Sequence, residues 1–415
     1  MKVTSLRILF TALSWLCIWS PSAWPIAPED LQRLDRFADH VLRKKDLVAG
    51  YPVNQRTDLD DFYNWYTRHH LHKSVMNNVG NPRHQSPYTL NTHEFENEVV
   101  DYFAGLYGFK PGDYWGFVTA SGTDGNQHGI YFGRKHLQSK SDQAPILYVS
   151  TEAHYSIKKI ADVQNLELRL IKANAMGQVD IESFRQQLDS TRPALIVVAM
   201  GTTFKGAIDD QAAIRQVLRE KHRGPHYIHL DAALFGGYLP YADGDGWKQV
   251  NQQIQKFDSI AVSGHKFFGF DEPMGIFITT QDTFNRLNPF RVEYLNDAVP
   301  TISCSRSAIN PLKFWWKIHA RSRSAFRNDA NAMLLGAEHL LTELTAISVK
   351  AWKNPYSNTV FFEQPPADIM QRYDLAPEND RRFGRVAHFI VMPHTDKLLQ
   401  PFVLDMKSWK ENMRE

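Results

Sequence analysis

Apolar and polar positions change rhythm along the chain. Leu31, Leu34, Ala38, Val41 and Leu42 recur every three or four residues, which predicts a helix with one apolar face. Glu94 to Leu106 repeats that spacing, and the turn-rich stretch Asn77 to Asn91, with Gly80, Pro82 and Pro87, lies between the two. From Trp115 onward the rhythm shortens. Ile146–Ser150, Leu166–Ile171, Leu195–Met200, Tyr227–Leu230, Ser259–Val262 and Gly275–Thr279 are compact apolar runs rich in Ile and Val. Such runs predict buried strands of a mostly parallel sheet. Ile181–Leu188 and Gln211–Glu220 supply the crossover helices that parallel strands need. The result is an α/β domain with helices on both faces. After about Ile302 the strand rhythm stops. One long helical stretch is predicted from Pro311 to roughly Leu344, then two late strands, Thr359–Glu363 and Val386–Met392. The expected organisation is an extension over residues 1–28, a helical arm over 29–110, a large sheet domain over 111–310, and a linking helix with a small α+β domain over 311–415.

Composition narrows the function classes. Forty-seven basic against 45 acidic residues leave a net charge of +2, which gives no electrostatic footprint for nucleic acid. Cys17 and Cys304 are the only cysteines, so a disulfide framework and a cysteine-rich zinc site are both excluded. The chain opens with Lys2 and Arg7, an apolar run from Ile8 to Trp19, and the small-residue stretch Ser20 to Ala23. That is the outline of a secretory leader over residues 1–23; an N-terminal helix is the other reading. The run is too short for a membrane span, which needs roughly 18 apolar residues. Removal of a leader would take Cys17 with it.

Ligands of open α/β sheets gather at the carboxyl ends of the strands, and four polar clusters fall there. Thr119 to Asn126 combines Ser121, Gly122 and Thr123 with a helix start, where free N–H groups and the helix dipole suit a phosphate. Asp231 ends one apolar run, and His154 follows another. Ser263, His265 and Lys266 directly follow the run Ser259–Val262. Burial lowers a lysine pKa, as an imine-forming amine requires. Each cluster alone has a plainer reading: a turn, a cap, a hydrogen-bonded loop histidine, a surface lysine. Together they supply a phosphate cradle, an aromatic stacker, a carboxylate and a reactive amine, the set that pyridoxal 5′-phosphate uses.

At these residues the chain resembles the group II pyridoxal-phosphate-dependent amino acid decarboxylases, of fold type I. It is most similar to the bacterial histidine decarboxylases and the plant serine decarboxylases. The shared stretches include Asn77 to Gly80, Tyr114 to Thr119, Gly122 to Asn126, His154 to Ser156, Gly201 to Asp210, His229 to Gly236, Val262 to Lys266, Thr301 to Arg306, Ser357 to Phe362 and Val386 to His388. The resemblance covers roughly residues 50–410. It implies a fold type I transferase-like architecture, a large mostly parallel-sheet domain with a small C-terminal α+β domain.

It also implies roles. Lys266 holds the cofactor aldehyde, Asp231 pairs with the pyridine nitrogen, and His154 stacks on one ring face with Ala233 on the other. Ser121, Gly122 and Thr123 cradle the phosphate with Ser263 and His265; Thr203 and Asn126 are further cofactor neighbours. Asn78, Asn91 and Ser305 belong to the substrate entrance. The implied reaction is loss of carbon dioxide from an L-amino acid, with histidine giving histamine favoured by the stretch Tyr88 to Glu96, in a homodimer or larger homo-oligomer, with no metal. Serine decarboxylation on the same scaffold, another enzyme of this fold such as an aminotransferase or lyase, and a fold that has lost catalysis are the alternatives. Intact Lys266, Asp231 and His154 argue against the last. Cytosolic supply of the cofactor favours a cytoplasmic protein, whereas a true leader would export it.

Three departures from the family pattern stand out. Asp124 replaces a usual Glu. Ser307-Ala308-Ile309 replaces Asn-Gly-His. Asp271-Glu272 adds two carboxylates near the lysine loop.

Overall fold

The computed structural model describes residues 26–413, apart from residue 288. Residues 1–23, with the outline of a leader, and Cys17 lie outside them. The described residues before Asp46 form one unit, and Asp46 onward forms another. The first contains helix α1, Pro28–Lys44, none of whose residues is buried.

In the second unit, helices α2 (Asp60–Arg68) and α3 (His93–Leu106) precede the large sheet. The sheet strands are β1 Tyr114–Thr119, β2 Ile146–Ser150, β3 Glu167–Ile171, β4 Ala194–Ala199, β5 His226–Asp231, β6 Ser259–Ser263 and β7 Gly275–Thr280. Their order across the sheet is β1-β7-β6-β5-β4-β2-β3. Only β7 runs against its neighbours. The intervening helices are α4 (Gly122–Gln138), α5 (Ser156–Val163), α6 (Ile181–Gln187) and α7 (Gln211–Lys221).

Strand alternation separates two cores. Ala194, Ile196 and Val198 of β4 join the side packed by α3, α6 and α7, whereas Leu195 and Val197 join the side packed by α4 and α5. A strand covered on both faces needs apolar residues at every position, which is why these runs read as unbroken.

Helix α4 lies unusually close to the sheet. Gly122, Gly125, Gly129 and Gly133 recur every three or four residues on its inner face. A Cβ at Gly125 would stand 2.8 Å from the Ala261 Cβ, and one at Gly133 would stand 2.6 Å from the Tyr227 ring. At Gly122 it would overlap Ser263 Oγ, and at Gly129 the His229 ring. This stripe seats the N-terminus of α4 against the ends of β5 and β6.

The predicted single helix from Pro311 to Leu344 is two helices, α8 (Ile309–Ala320) and α9 (Arg323–Ala346). Arg321 is extended, and Ser322 caps the new helix by accepting the Ala325 N–H at 3.2 Å. A capping serine contributes about 1 kcal/mol, enough to fix the break at that residue. The small sheet has four antiparallel strands, β8 Ala351–Lys353, β9 Thr359–Glu363, β10 Ala376–Asp380 and β11 Gly384–Ile390, ordered β8-β9-β11-β10. Helix α10, Leu399–Asn412, packs Phe402 against Phe362 and Phe389 of this sheet. No described helix is long and apolar enough to cross a membrane.

Candidate active site

Each polar cluster sits at the carboxyl end of a parallel strand. Ser121 follows β1, His154 follows β2, Thr203 follows β4, Asp231 ends β5 and Lys266 follows β6. They converge on a cavity of about 260 Å³. Its wall contains Ser121, Gly122, Thr123, Asn126, His154, Thr203, Asp231, Ala233, Ser263, His265 and Lys266. All eleven residues expected around the cofactor are therefore together.

Lys266 makes no side-chain hydrogen bond or ion pair among the described residues, and the residue is half-buried in the cavity wall. Burial holds its pKa below the usual lysine value, with the Asp231 carboxylate pulling the other way. Asp231 accepts the Ala233 N–H at 3.3 Å. His154 is also lowered, first by burial and then by Lys266 and Lys159, against the pull of Asp231. Its Nδ1 accepts the Ser156 N–H at 3.3 Å and lies 2.8 Å from Ser156 Oγ. The proton of the neutral ring is thus on Nε2. Burial, followed by Lys266, lowers His265, whose Nδ1 donates to the Met274 carbonyl at 3.3 Å.

The phosphate end is built by the cap of α4. Ser121 Oγ accepts the Asp124 N–H at 3.1 Å, and Asp124 Oδ2 accepts the Ala120 N–H at 2.9 Å. Asp124 thereby reaches the backbone despite its shorter side chain. Burial alone would raise its pKa, but His128 and the Ala120 N–H outweigh that and hold it low.

Asn78, Asn91 and Ser305 are placed away from the cavity wall. Asn78 is fully buried, donating to Glu96 Oε2 at 2.9 Å and accepting the Thr92 N–H at 2.8 Å. Glu96 pairs with Arg306 in the same buried network. Asn91 bonds the Tyr88 carbonyl at 2.6 Å and the His93 N–H at 3.1 Å. Ser305 pairs with Val79 in a short antiparallel ribbon, Asn77–Val79 against Ser305–Ser307.

The other departures are structural within this chain. Lys313 Nζ binds Asp271 at 2.9 Å and Glu272 at 2.7 Å, and Tyr63 donates to Asp271. Burial would lower Lys313, but the carboxylates hold it well above the ordinary lysine value. Neither carboxylate lines the cavity. Ser307 Oγ accepts the Asn310 N–H at 3.2 Å, while Ile309 packs against the main core.

The wall also contains residues that local sequence patterns did not single out: Pro52, Tyr155, Ala199, Gly201, Leu234 and Pro273. Gly201 has φ +100°, and a Cβ there would stand 2.7 Å from the Phe235 ring, so glycine is required. It opens the stretch Gly201-Thr202-Thr203, which was a usable signal. Pro52 had none. It is placed by a strap over residues 48–58, where Ile390 N–H donates to the Ala49 carbonyl at 2.7 Å and Asn54 Nδ2 donates to the Phe267 carbonyl at 3.0 Å.

These residues fit pyridoxal phosphate on three counts. Gly122 packs so closely on Ser263 in the cavity wall that any side chain there would overlap Ser263 Oγ, which leaves the start of α4 as bare backbone beside the cavity. An unpaired amine with lowered pKa faces the cavity. A carboxylate stands in the same wall.

The pyridoxal-dependent decarboxylase conserved domain matches residues 132–349. Histidine decarboxylase of Pseudomonas entomophila (strain L48) is 32% identical over 385 residues, 92% of this chain and 91% of that one. Serine decarboxylase 1 of Oryza sativa subsp. japonica is 35% identical over 356 residues, 84% of this chain and 70% of that one. L-methionine decarboxylase from Streptomyces sp. 590 superposes with a TM-score of 0.77 at 22% identity, covering 92% of this chain and 96% of that chain. That last likeness shows a shared fold. With the domain match and the near full-length relatives, the chain belongs to the pyridoxal-dependent decarboxylases, carboxy-lyases that use pyridoxal 5′-phosphate on an amino acid.

Proposed function

We propose that this enzyme decarboxylates L-histidine, yielding histamine and carbon dioxide. The observation that carries a decarboxylase site is the unpaired Lys266 amine in one cavity with Asp231 and His154. Histidine in particular is supported by relatives bearing that name which match across nearly their whole length. The wall beyond the cofactor residues agrees, because Pro52, Tyr155, Leu234 and Pro273 carry no charge. Such a surface suits a neutral imidazole better than an acidic or basic side chain. Serine is the second reading, supported by the rice relative, which matches over a smaller share of its own length.

Bound in the cavity, pyridoxal phosphate supplies an aldehyde carbon for the substrate amine and a ring that takes up the electron pair left by the departing carboxylate. The N-terminus of α4, with Ser121, Gly122 and Thr123, holds the phosphate. Asp231 keeps the ring nitrogen protonated. His154 would lie against the cofactor ring, where its Nε2–H could donate a proton. Lys266 Nζ would hold the cofactor's aldehyde carbon, and its lowered pKa favours the uncharged, nucleophilic amine that this role needs. The cavity walls would hold the substrate, and the orientation they give the bond from Cα to the carboxylate would select decarboxylation over transamination.

A panel of the standard amino acids with amine detection tests the substrate. Histamine from histidine at a kcat/KM well above that for any other amino acid is expected. Preferred release of ethanolamine from serine would replace this reading with the second.

We also infer that the enzyme is at least a homodimer. Phe290 and Tyr294 are more than 80% exposed, and Ile302 is 41% exposed, on the same stretch that leads to Ser305. Apolar groups so open to water suit a subunit interface. Light scattering of the active species should give at least twice the chain mass of 47.8 kDa. An active monomer would refute this.

A further inference from the structure

His229 stands two residues before Asp231 on β5 and is fully buried. It packs against Gly129 of α4, where any side chain would overlap its ring. Both ring nitrogens are engaged. Ser259 Oγ lies 2.8 Å from Nδ1, and Asn126 Oδ1 lies 3.0 Å from Nε2. An amide oxygen only accepts, so the hydrogen is on Nε2. Burial lowers the ring pKa to about 4, so the ring is neutral at neutral pH and carries one hydrogen; with that hydrogen on Nε2, Nδ1 accepts the Ser259 hydroxyl.

This arrangement decides what Asn126 offers the cavity. Its oxygen is committed to His229, while Nδ2 makes no hydrogen bond among the described residues and belongs to a side chain of the cavity wall. With the amide reversed, an oxygen would face the cavity whose wall also contains Asp231 and the phosphate cradle. Two acceptors facing each other in a buried wall are costly, whereas an N–H donor there is favourable.

We propose that His229, anchored by Ser259, is a positioning residue. It fixes the amide of Asn126 so that an N–H donor, rather than an oxygen, faces the cavity that Asp231 lines and that the negatively charged cofactor would occupy. Ser259, His229 and Asn126 then form one relay, on the face covered by α4, from the N-terminal end of β6 to the cavity. The proposal rests on the placement of pyridoxal phosphate in this cavity, but its first test does not need the cofactor.

The ring of His229 in the apoenzyme can be read by 15N NMR. A protonated Nε2 and a bare Nδ1 are expected; the opposite tautomer would overturn the proposal. The second test is the affinity of apoenzyme for pyridoxal phosphate, followed by fluorescence. Asn126→Ala and His229→Phe should each weaken it roughly tenfold, the loss of one hydrogen bond to a charged group. The double variant should bind no more weakly than Asn126→Ala alone, because His229 acts through Asn126. Additive losses would sink the idea. Should His229→Phe fail to fold by circular dichroism, Ser259→Ala carries the test. It should mix the two ring tautomers and weaken binding a few-fold, and an unchanged tautomer with unchanged affinity would overturn the relay. Wild-type apoenzyme that takes up no cofactor would refute its placement, while the tautomer would still report on the His229–Asn126 bond.

Discussion

Lys266→Ala is expected to reduce carbon dioxide release by roughly 10³-fold or more, since in the proposed role Lys266 is both the covalent anchor and a nearby proton carrier. The fold should persist. The Lys266 side chain makes no hydrogen bond or ion pair among the described residues, and truncating it relieves the burial that lowers its pKa. Its backbone carbonyl, which accepts the Asn54 N–H at 3.2 Å, is untouched by the change. The loss should therefore appear in kcat with an unaltered melting curve of the apoenzyme. Borohydride treatment of the wild type should erase the cofactor's visible band and leave the label on Lys266. Lys313 and Lys317 are the internal controls. Both are buried, but Lys313 is held by two carboxylates and Lys317 by the Thr57 carbonyl, away from the cavity wall. Label on either, or undiminished turnover by Lys266→Ala, would refute the role.

The sheet was legible because its strands are buried on both faces. Ala194–Ala199 has no polar position to blur the run, and its predicted and observed limits differ by one residue. The same property hides strand direction. Gly275–Thr280 reads like the others yet runs antiparallel, since an unbroken apolar run carries no sign of which way it points. β10 was illegible for the opposite reason. Its sequence, Ala-Pro-Glu-Asn-Asp, disfavours strand at nearly every position, and it forms only as an edge beside β11, where Pro377 needs no inward N–H. The helix break at Ser322 was readable from its cap and was obscured by the continuous apolar spacing on either side.

In the site, residues adjacent to strand ends were readable, because position in an α/β sheet is coupled to sequence order. Asn78 shows the limit. The resemblance implies a place for it at the substrate entrance, and the local sequence did not show that its amide donates to the buried Glu96, eighteen residues on, at 2.9 Å. Pro52 is the converse case. Nothing nearby marks it, and its place depends on hydrogen bonds to residues more than 200 positions away. The glycines of α4 were visible as a phosphate turn, while their larger role, bringing a helix face onto His229 and Tyr227, needed the sheet to be seen.

Asp231→Asn separates charge from shape. The amide has nearly the same volume, and its oxygen can still accept the Ala233 N–H, which Asp231 Oδ1 takes at 3.3 Å. What it removes is the negative charge that, in the proposed role, would keep the cofactor's ring nitrogen protonated. Without that proton the ring is a poorer acceptor for the electron pair from Cα, so the barrier to losing carbon dioxide rises while substrate binding changes little. Removal of one preorganised electrostatic partner costs about 10² to 10³ in kcat. A loss in that range, with KM within a few-fold of wild type, is the expected result. The neighbourhood sharpens it further. The Asp231 carboxylate is among the influences that raise the proton affinity of Lys266 and of His154 against their burial. Its neutralisation should therefore move both groups further toward the uncharged form. The acidic limb of the pH profile should shift to lower pH, because a group with a lowered pKa loses its proton earlier as pH rises. A variant that keeps wild-type kcat, or loses activity only through KM, would place the charge of Asp231 outside the chemical step.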